Sequence, residues 1–439
     1  MDATPFRNRR AALLARMHAA GGGVAVIPTA PERTRNRDAT WPFRADSYFH
    51  YLTGFDEPEA VLVLVAAATD QAVLFCREKD VEREIWDGFR HGPDGARECF
   101  GFDAAHPMAA LDEMLPDLLA DRVALWFSLG QDEAWDARIA AALNAVRGQA
   151  RAGKRAPAEV RDVRVALDAM RVIKDAGELD IMRRASVIAA GAHVRAMRFA
   201  APGRHEYEVE AELLHEFRRH GCLAPAYTPI VAGGANACVL HYVGNDQPLR
   251  DGDLLLIDAG GEFDGYASDI TRTFPVNGRF RGAQADIYGL VLDAQAAAIA
   301  AVIPGATFIA PHDAALRVLA QGMIDLGLLS GSLDAVLETE SYKRFFMHRT
   351  SHWLGRDVHD AGEYKNGEDW APLLPGMVLT IEPGCYVRPG DDVPEAFWNI
   401  GVRIEDDAVV TATGCEIITA GAPKAIAEIE ALMRDARGG

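Results

Sequence analysis

Residues 254–274 read LLLIDAGGEFDGYASDITRTF: an apolar run carrying Asp258, a turn at Asp264-Gly265, and a return run carrying Asp269. An Asp-Gly pair between two apolar runs signals a hairpin closed by a two-residue turn. That turn places Asp258 opposite Thr271, with Asp269 two residues back from Thr271 on the same face. The two carboxylates are then diagonal neighbours, roughly 7–8 Å apart at the backbone. Either one alone reads as a solvated strand acid. As a pair beside Leu254-Leu255-Leu256-Ile257, they raise each other's pKa or require a cation between them.

The rest of the chain bounds what such a site can serve. With 439 residues, 49% of them hydrophobic, and a mean hydropathy of −0.04, the chain has material for two domains with substantial cores. Its net charge of −19 excludes a nucleic-acid partner, because phosphate binding needs clustered Lys and Arg. The six cysteines (Cys76, Cys99, Cys222, Cys238, Cys385, Cys415) are scattered without a Cys-x-x-Cys pair and read as reduced thiols of a cytoplasmic protein. The basic N-terminus, MDATPFRNRRAALLARM, contains Asp2 and few hydroxyl residues, so it reads as an ordinary amphipathic first helix. No run approaches the ~18 apolar residues of a membrane span, so no membrane partner is expected.

Residues 24–28, 60–66 and 72–75 read as buried strands, and residues 109–119 and 133–146 as helices. This is the pattern of an α/β layer domain. The polar, basic segment 147–164, with Gly153 and Pro157, reads as the crossover between domains. A helix then begins at the capping box Asp175-x-x-Glu178, with an apolar stripe through Leu179, Met182, Val194 and Met197, and runs to Pro202-Gly203. Further helices are expected over 206–220, 283–303 and 311–326. Helices flanking antiparallel strands without regular βαβ alternation predict an α+β second domain. The expected division is 1–168 and 169–439. Asp38 and Trp86 sit in polar-aromatic loops of the first part.

Three later stretches strengthen the hairpin pair. FFMHRTSHWLGRDVHD carries His348, His352 and His359 within twelve positions. VLTIEPGCYV ends a buried strand on Glu382, which needs a partner. GVRIEDDAVV reads as one alternating strand with Arg403 and Glu405 on one face, where a surface ion pair between the two is the competing reading. Asp258, Asp269, His352, Glu382 and Glu405 together form an oxygen-rich donor set suited to Mn²⁺, with Co²⁺, Fe²⁺ or Zn²⁺ as alternatives. They outnumber the ligands of one open ion. Two ions sharing carboxylates use them all: four anions cancel two dications, leaving room for one hydroxide made by depressing the pKa of a bridging water.

Together LLLIDAGGEFDGYASDITRTFPVNG, HYVGND, FFMHRTSHWLGRDVHD, LTIEPGCY and GVRIEDD resemble the Xaa-Pro aminopeptidase (aminopeptidase P) branch of the pita-bread metallopeptidases. The resemblance implies an α/β N-terminal domain that oligomerises and closes the cleft, followed by a pita-bread catalytic domain. It also implies a dinuclear Mn²⁺ site on the five ligands, with Asp269 and Glu405 bridging. Catalytic roles fall on Glu382 as proton acceptor and on His241 and His359. Substrate contacts fall on His241, His348, His359, Arg403, Tyr386, Asp38 and Trp86. The expected partner is a peptide with proline at its second position, and the expected assembly is a homo-oligomer, dimer or tetramer. The chain departs from many members at Trp370-Ala371, where an arginine often follows the tryptophan, which weakens a gating ion pair with Asp38. A prolidase sharing the same metals is the rival enzyme, although AGEYKNG after His359 favours the aminopeptidase. A metal-free binding module is the rival from another class.

Overall fold

The structure, a computed structural model, describes residues 2–437. It divides into two compact units, Met1–Met170 and Arg171–Gly439.

The first unit is built on a six-stranded mixed sheet. Its spatial order is Ala104–Pro107, Gln71–Cys76, Val61–Ala66, Gly23–Pro28, Ala124–Trp126 and Glu159–Arg161. Its central strands read as continuous apolar runs because both faces are covered. Val24, Val26, Val61, Val63 and Val65 face Leu111, Leu115, Ile139 and Val146 of the helices Leu111–Leu119 and Glu133–Gly148. Ala25, Ile27, Leu62 and Leu64 face Leu13, Met17, Phe49 and Leu52 of Thr4–Ala19 and Ser47–Thr53. The expected crossover at 147–164 is a correction. Glu159–Arg161 pairs in parallel with Ala124–Trp126 as an edge strand, and Val163–Arg171 is helical. Short polar edge strands carry little hydrophobic signal, since one backbone edge and most side chains face water.

The second unit contains two three-stranded antiparallel sheets, each accompanied by a helix pair. One sheet is Ile230–Gly233, Leu254–Asp258 and Thr271–Pro275; the other is Val378–Ile381, Asp406–Val410 and Cys415–Ile417. Ala176–Phe199 packs with Glu206–Arg219, and Ala283–Ala300 with Ala310–Asp325. The capping box at Asp175 forms as the sequence predicts: Asp175 accepts the Glu178 amide at 2.9 Å and Glu178 accepts the Asp175 amide at 2.9 Å. Glu178 also accepts the Tyr266 hydroxyl at 2.7 Å, which ties the start of this helix to the residue after the hairpin turn.

That hairpin has the expected register, with Asp258 opposite Thr271. Phe263 and Tyr266 exchange both backbone bonds at 3.0 Å. Asp264 and Gly265 take φ of 48° and 74°, as a primed two-residue turn requires. Gly260 allows the strands their close approach, since a Cβ there would lie 1.6 Å from the Ser268 carbonyl oxygen.

The single strand expected over 401–410 is broken. Ile400–Arg403 pairs with Gly384–Val387, whereas Asp406–Val410 pairs with Val378–Ile381. The break at Ile404-Glu405 lets Glu405 donate its backbone amide to Thr271 at 3.0 Å, carrying its carboxylate into the first sheet.

Candidate metal centre

Asp258 closes the strand Leu254–Asp258, and Asp269 lies two residues before Thr271–Pro275. His352 comes from an irregular segment whose amide bonds the Thr380 hydroxyl at 3.1 Å. Glu382 follows Val378–Ile381, and its amide donates to the Thr350 carbonyl at 2.8 Å. Ligand atoms of Asp269, His352 and Glu405 lie within 4.8 Å of one another. His352 Nε2 stands 3.5 Å from Asp269 Oδ2 and 3.6 Å from Glu382 Oε1. Its Nδ1 faces the Trp353 carbonyl at 3.0 Å, a contact that fixes the tautomer and leaves Nε2 free for a ligand. Asp258 is turned differently: its Oδ2 accepts Arg403 Nη2 at 2.5 Å, and its Oδ1 accepts the Tyr227 hydroxyl at 2.5 Å.

All five side chains line one cleft of about 790 Å³, together with His241, His348, His359 and Arg403. His359 sits at the rim with its ring centroid 4.2 Å from that of His352. His348 Nε2 lies 2.8 Å from the Tyr386 hydroxyl, which also accepts Arg403 Nη1 at 3.0 Å. The surface ion pair between Arg403 and Glu405 does not form. Arg403 is spent on Asp258, and Glu405 Oε2 accepts the buried Thr271 hydroxyl at 2.7 Å. Asp38 and Trp86 belong to the first unit. Asp38 is exposed beside the short strand Ala39–Thr40, and Trp86 is 83% exposed on Val81–Asp87.

Electrostatics follow from crowding acids that are buried at the floor of the cleft. Burial, reinforced by the neighbouring acids, raises the carboxyls of Glu405 and Asp269 above the usual range. Burial pushes Glu382 up to about 7 against the pull of His352 and Arg403. His352, which burial alone would lower, is held at about 9 by Asp269 and Glu382. Such a cluster takes up either protons or cations. Asp269, Glu405 and the His352 imidazole within mutual ligand reach, with Glu382 3.6 Å from His352 and Asp258 joined to Asp269 through Tyr227, suit hard or borderline divalent ions.

Sequence reasoning missed Tyr227, whose hydroxyl lies between Asp258 and Asp269 and shares its one proton with both. Tyr227 lies in the loop just ahead of Ile230–Gly233, whose Ile230 pairs with Asp258, and no pattern in that loop marks it. Asp406 and Asp407 were missed as well. Asp406 neutralises buried Arg272 at 2.6 Å and Lys424 at 2.6 Å, and Asp407 Oδ2 accepts the Asp269 amide at 3.1 Å. The run Glu405-Asp406-Asp407 therefore faces three different partners.

A cleft with these donors and these electrostatics defines a metal-dependent hydrolase, and the chain belongs to metallopeptidase family M24, whose model matches residues 180–412. Residues 6–126 match the aminopeptidase P N-terminal domain. The chain is 45% identical to the Xaa-Pro aminopeptidase of Escherichia coli over 98% of both chains. It is 35% identical to Xaa-Pro aminopeptidase 3 of Rattus norvegicus, over 96% of this chain and 84% of the relative. The structure of Pseudomonas aeruginosa aminopeptidase PepP superposes with a TM-score of 0.98 at 48% identity, covering 100% of this chain and 99% of that one. An Escherichia coli aminopeptidase P variant in complex with substrate gives 0.97 at 43% identity, with both chains fully covered.

Proposed function

We propose that this chain removes the N-terminal residue from peptides whose second residue is proline, using two divalent ions, Mn²⁺ first among them. Asp258, Asp269, His352, Glu382 and Glu405 would hold the ions. When bound, these supply Lewis acidity and lower the pKa of water. The observation that carries the reading is the convergence of these five side chains, from separate segments, on one cleft.

Glu382 accepts the proton of the attacking water and returns it to the leaving proline nitrogen. His359 and His241, at the rim, hydrogen-bond the developing oxyanion. His348, Tyr386 and Arg403 form a bonded wall against which the proline ring packs. That ring lacks an N–H and has a fixed φ, so shape selects it without a dedicated acceptor. The substrate ammonium lies toward Asp258, which restricts cleavage to the first bond. Arg403 holds Asp258 in place for that contact.

Val81, Ile85 and Trp86 are 70%, 77% and 83% exposed on Val81–Asp87, a face that supports a homo-oligomer. Six free cysteines support a reducing, cytoplasmic setting.

The test is hydrolysis of Ala-Pro-Ala and of Ala-Pro by chelator-treated protein before and after Mn²⁺ addition. Tripeptide cleavage that returns with Mn²⁺ is expected. Strict dipeptide cleavage would make the chain a prolidase, and absence of bound metal would remove the enzymatic reading.

A further inference from the structure

The cleft has a second charged end that the chemistry above does not use. Of the three cations lining it, Arg403 is committed to Asp258, while Arg349 and Lys365 are not. Both lie against the indole of Trp370, the Arg349 guanidinium carbon 5.6 Å and the Lys365 ammonium 4.4 Å from the ring centroid. Among the described residues, neither cation has a carboxylate within the 4.0 Å of an ion pair, in a chain that has 64 acids and 45 Lys and Arg.

The lip that carries them is anchored. Lys365–Asn366 and Asp369–Trp370 form a two-stranded hairpin, turned through Gly367 at φ 66°. Phe308 donates its amide to the Ala371 carbonyl at 2.8 Å, and Ala371 donates to the Tyr364 carbonyl at 2.9 Å. Trp370 stacks on Phe308 at 6.2 Å. Stacking on an indole restrains the two side chains, so less rotamer entropy is lost when an anion binds them.

We propose that Arg349 and Lys365, positioned by Trp370, bind a substrate carboxylate just beyond the proline, namely the C-terminal carboxylate of a tripeptide. The proposal rests on the exopeptidase reading. It makes the cleft bipolar, with an acidic floor for the ammonium end and a cationic lip for the carboxylate end, and so selects short peptides.

The test compares Ala-Pro-Ala, its C-terminal amide, and Ala-Pro-Glu amide on the Mn²⁺-loaded enzyme and on the Arg349→Gln/Lys365→Gln double variant. Both substituted side chains are exposed, so folding is retained. The native chain should favour the free acid over the amide by about tenfold in kcat/KM, expressed in KM, and the double variant should bring the ratio within about twofold. Ala-Pro-Glu amide should behave as the plain amide. If it matches the free acid, a side-chain carboxylate is the ligand and the C-terminal assignment is overturned. Equal use of acid and amide by the native chain, or a ratio that survives in the double variant, also overturns it. Cleavage of none of the three peptides would instead remove the exopeptidase reading beneath it.

Discussion

Substituting Asp360 by Asn tests whether the segment carrying His359 is held by buried charge. Asp360 Oδ1 lies 2.6 Å from Arg171 Nη2 and its Oδ2 lies 2.9 Å from Lys174 Nζ, and all three side chains are 1% exposed. Asp360 also accepts the Asp357 amide at 3.2 Å, which closes the turn around His359. Asn keeps the size and loses the charge, leaving buried Lys174 facing a neutral amide and Arg171 with Asp357, 2.8 Å away and 41% exposed, as its remaining carboxylate. Breaking a buried pair this way costs about 3–5 kcal/mol. At 2–4 °C per kcal/mol for a unit of this size, the melting temperature should fall by roughly 6–20 °C. Adding Lys174→Met should recover part of the loss by removing one orphaned charge.

The pH dependence has a definite sign. Burial opposes ionisation of Asp360, but Lys174 and Arg171 win and hold its carboxyl below the ordinary range. A folded value below the unfolded one gives stability that is fully present above about pH 4 and is lost as pH falls through the folded value. The Asn variant should lack that segment of the acid slope. Calorimetric melts at pH 7 and urea midpoints from pH 5 to 3 measure both effects. A variant melting within ~1 °C of the parent, with an unchanged acid slope, would refute the reasoning.

Two further outcomes follow from the same geometry. His193 is fully buried, and burial pushes it down to about 4, although Nε2 contacts the Ala259 carbonyl at 3.0 Å. Its folded value lies below the unfolded ~6.5, so stability present above pH 6.5 should decline by about 3 kcal/mol toward pH 4; His193→Gln should flatten the urea midpoint over that window. Tyr227→Phe deletes the hydroxyl shared by Asp258 and Asp269 and should lower kcat/KM on an Xaa-Pro tripeptide by about tenfold. Full activity in that variant would show that the two carboxylates need no help to stay aligned.

The hairpin was legible in the sequence because its information is local. Asp264-Gly265 names the turn, the turn fixes the register, and the register places Asp258 and Asp269 on one face. The capping box at Asp175 was legible for the same reason. The break at Ile404-Glu405 was not, because Gly401 to Val410 alternates cleanly and only the partners Gly384–Val387 and Val378–Ile381 decide that it serves two sheets. Tyr227 was hidden because a lone tyrosine in a loop carries no period. Its role depends on a strand pairing that leaves no mark on its own neighbourhood. Glu159–Arg161 looked like a linker because a polar edge strand and a linker have the same composition.

The central claim is that side chains distant in the chain gather around divalent ions at one place. Anomalous diffraction from crystals soaked in Mn²⁺ tests it most directly. Two peaks should appear, coordinated by Asp258, Asp269, His352, Glu382 and Glu405, and Glu405→Ala should remove at least one of them. Clean density among these five side chains at millimolar Mn²⁺, or peaks held by other residues, would contradict the account.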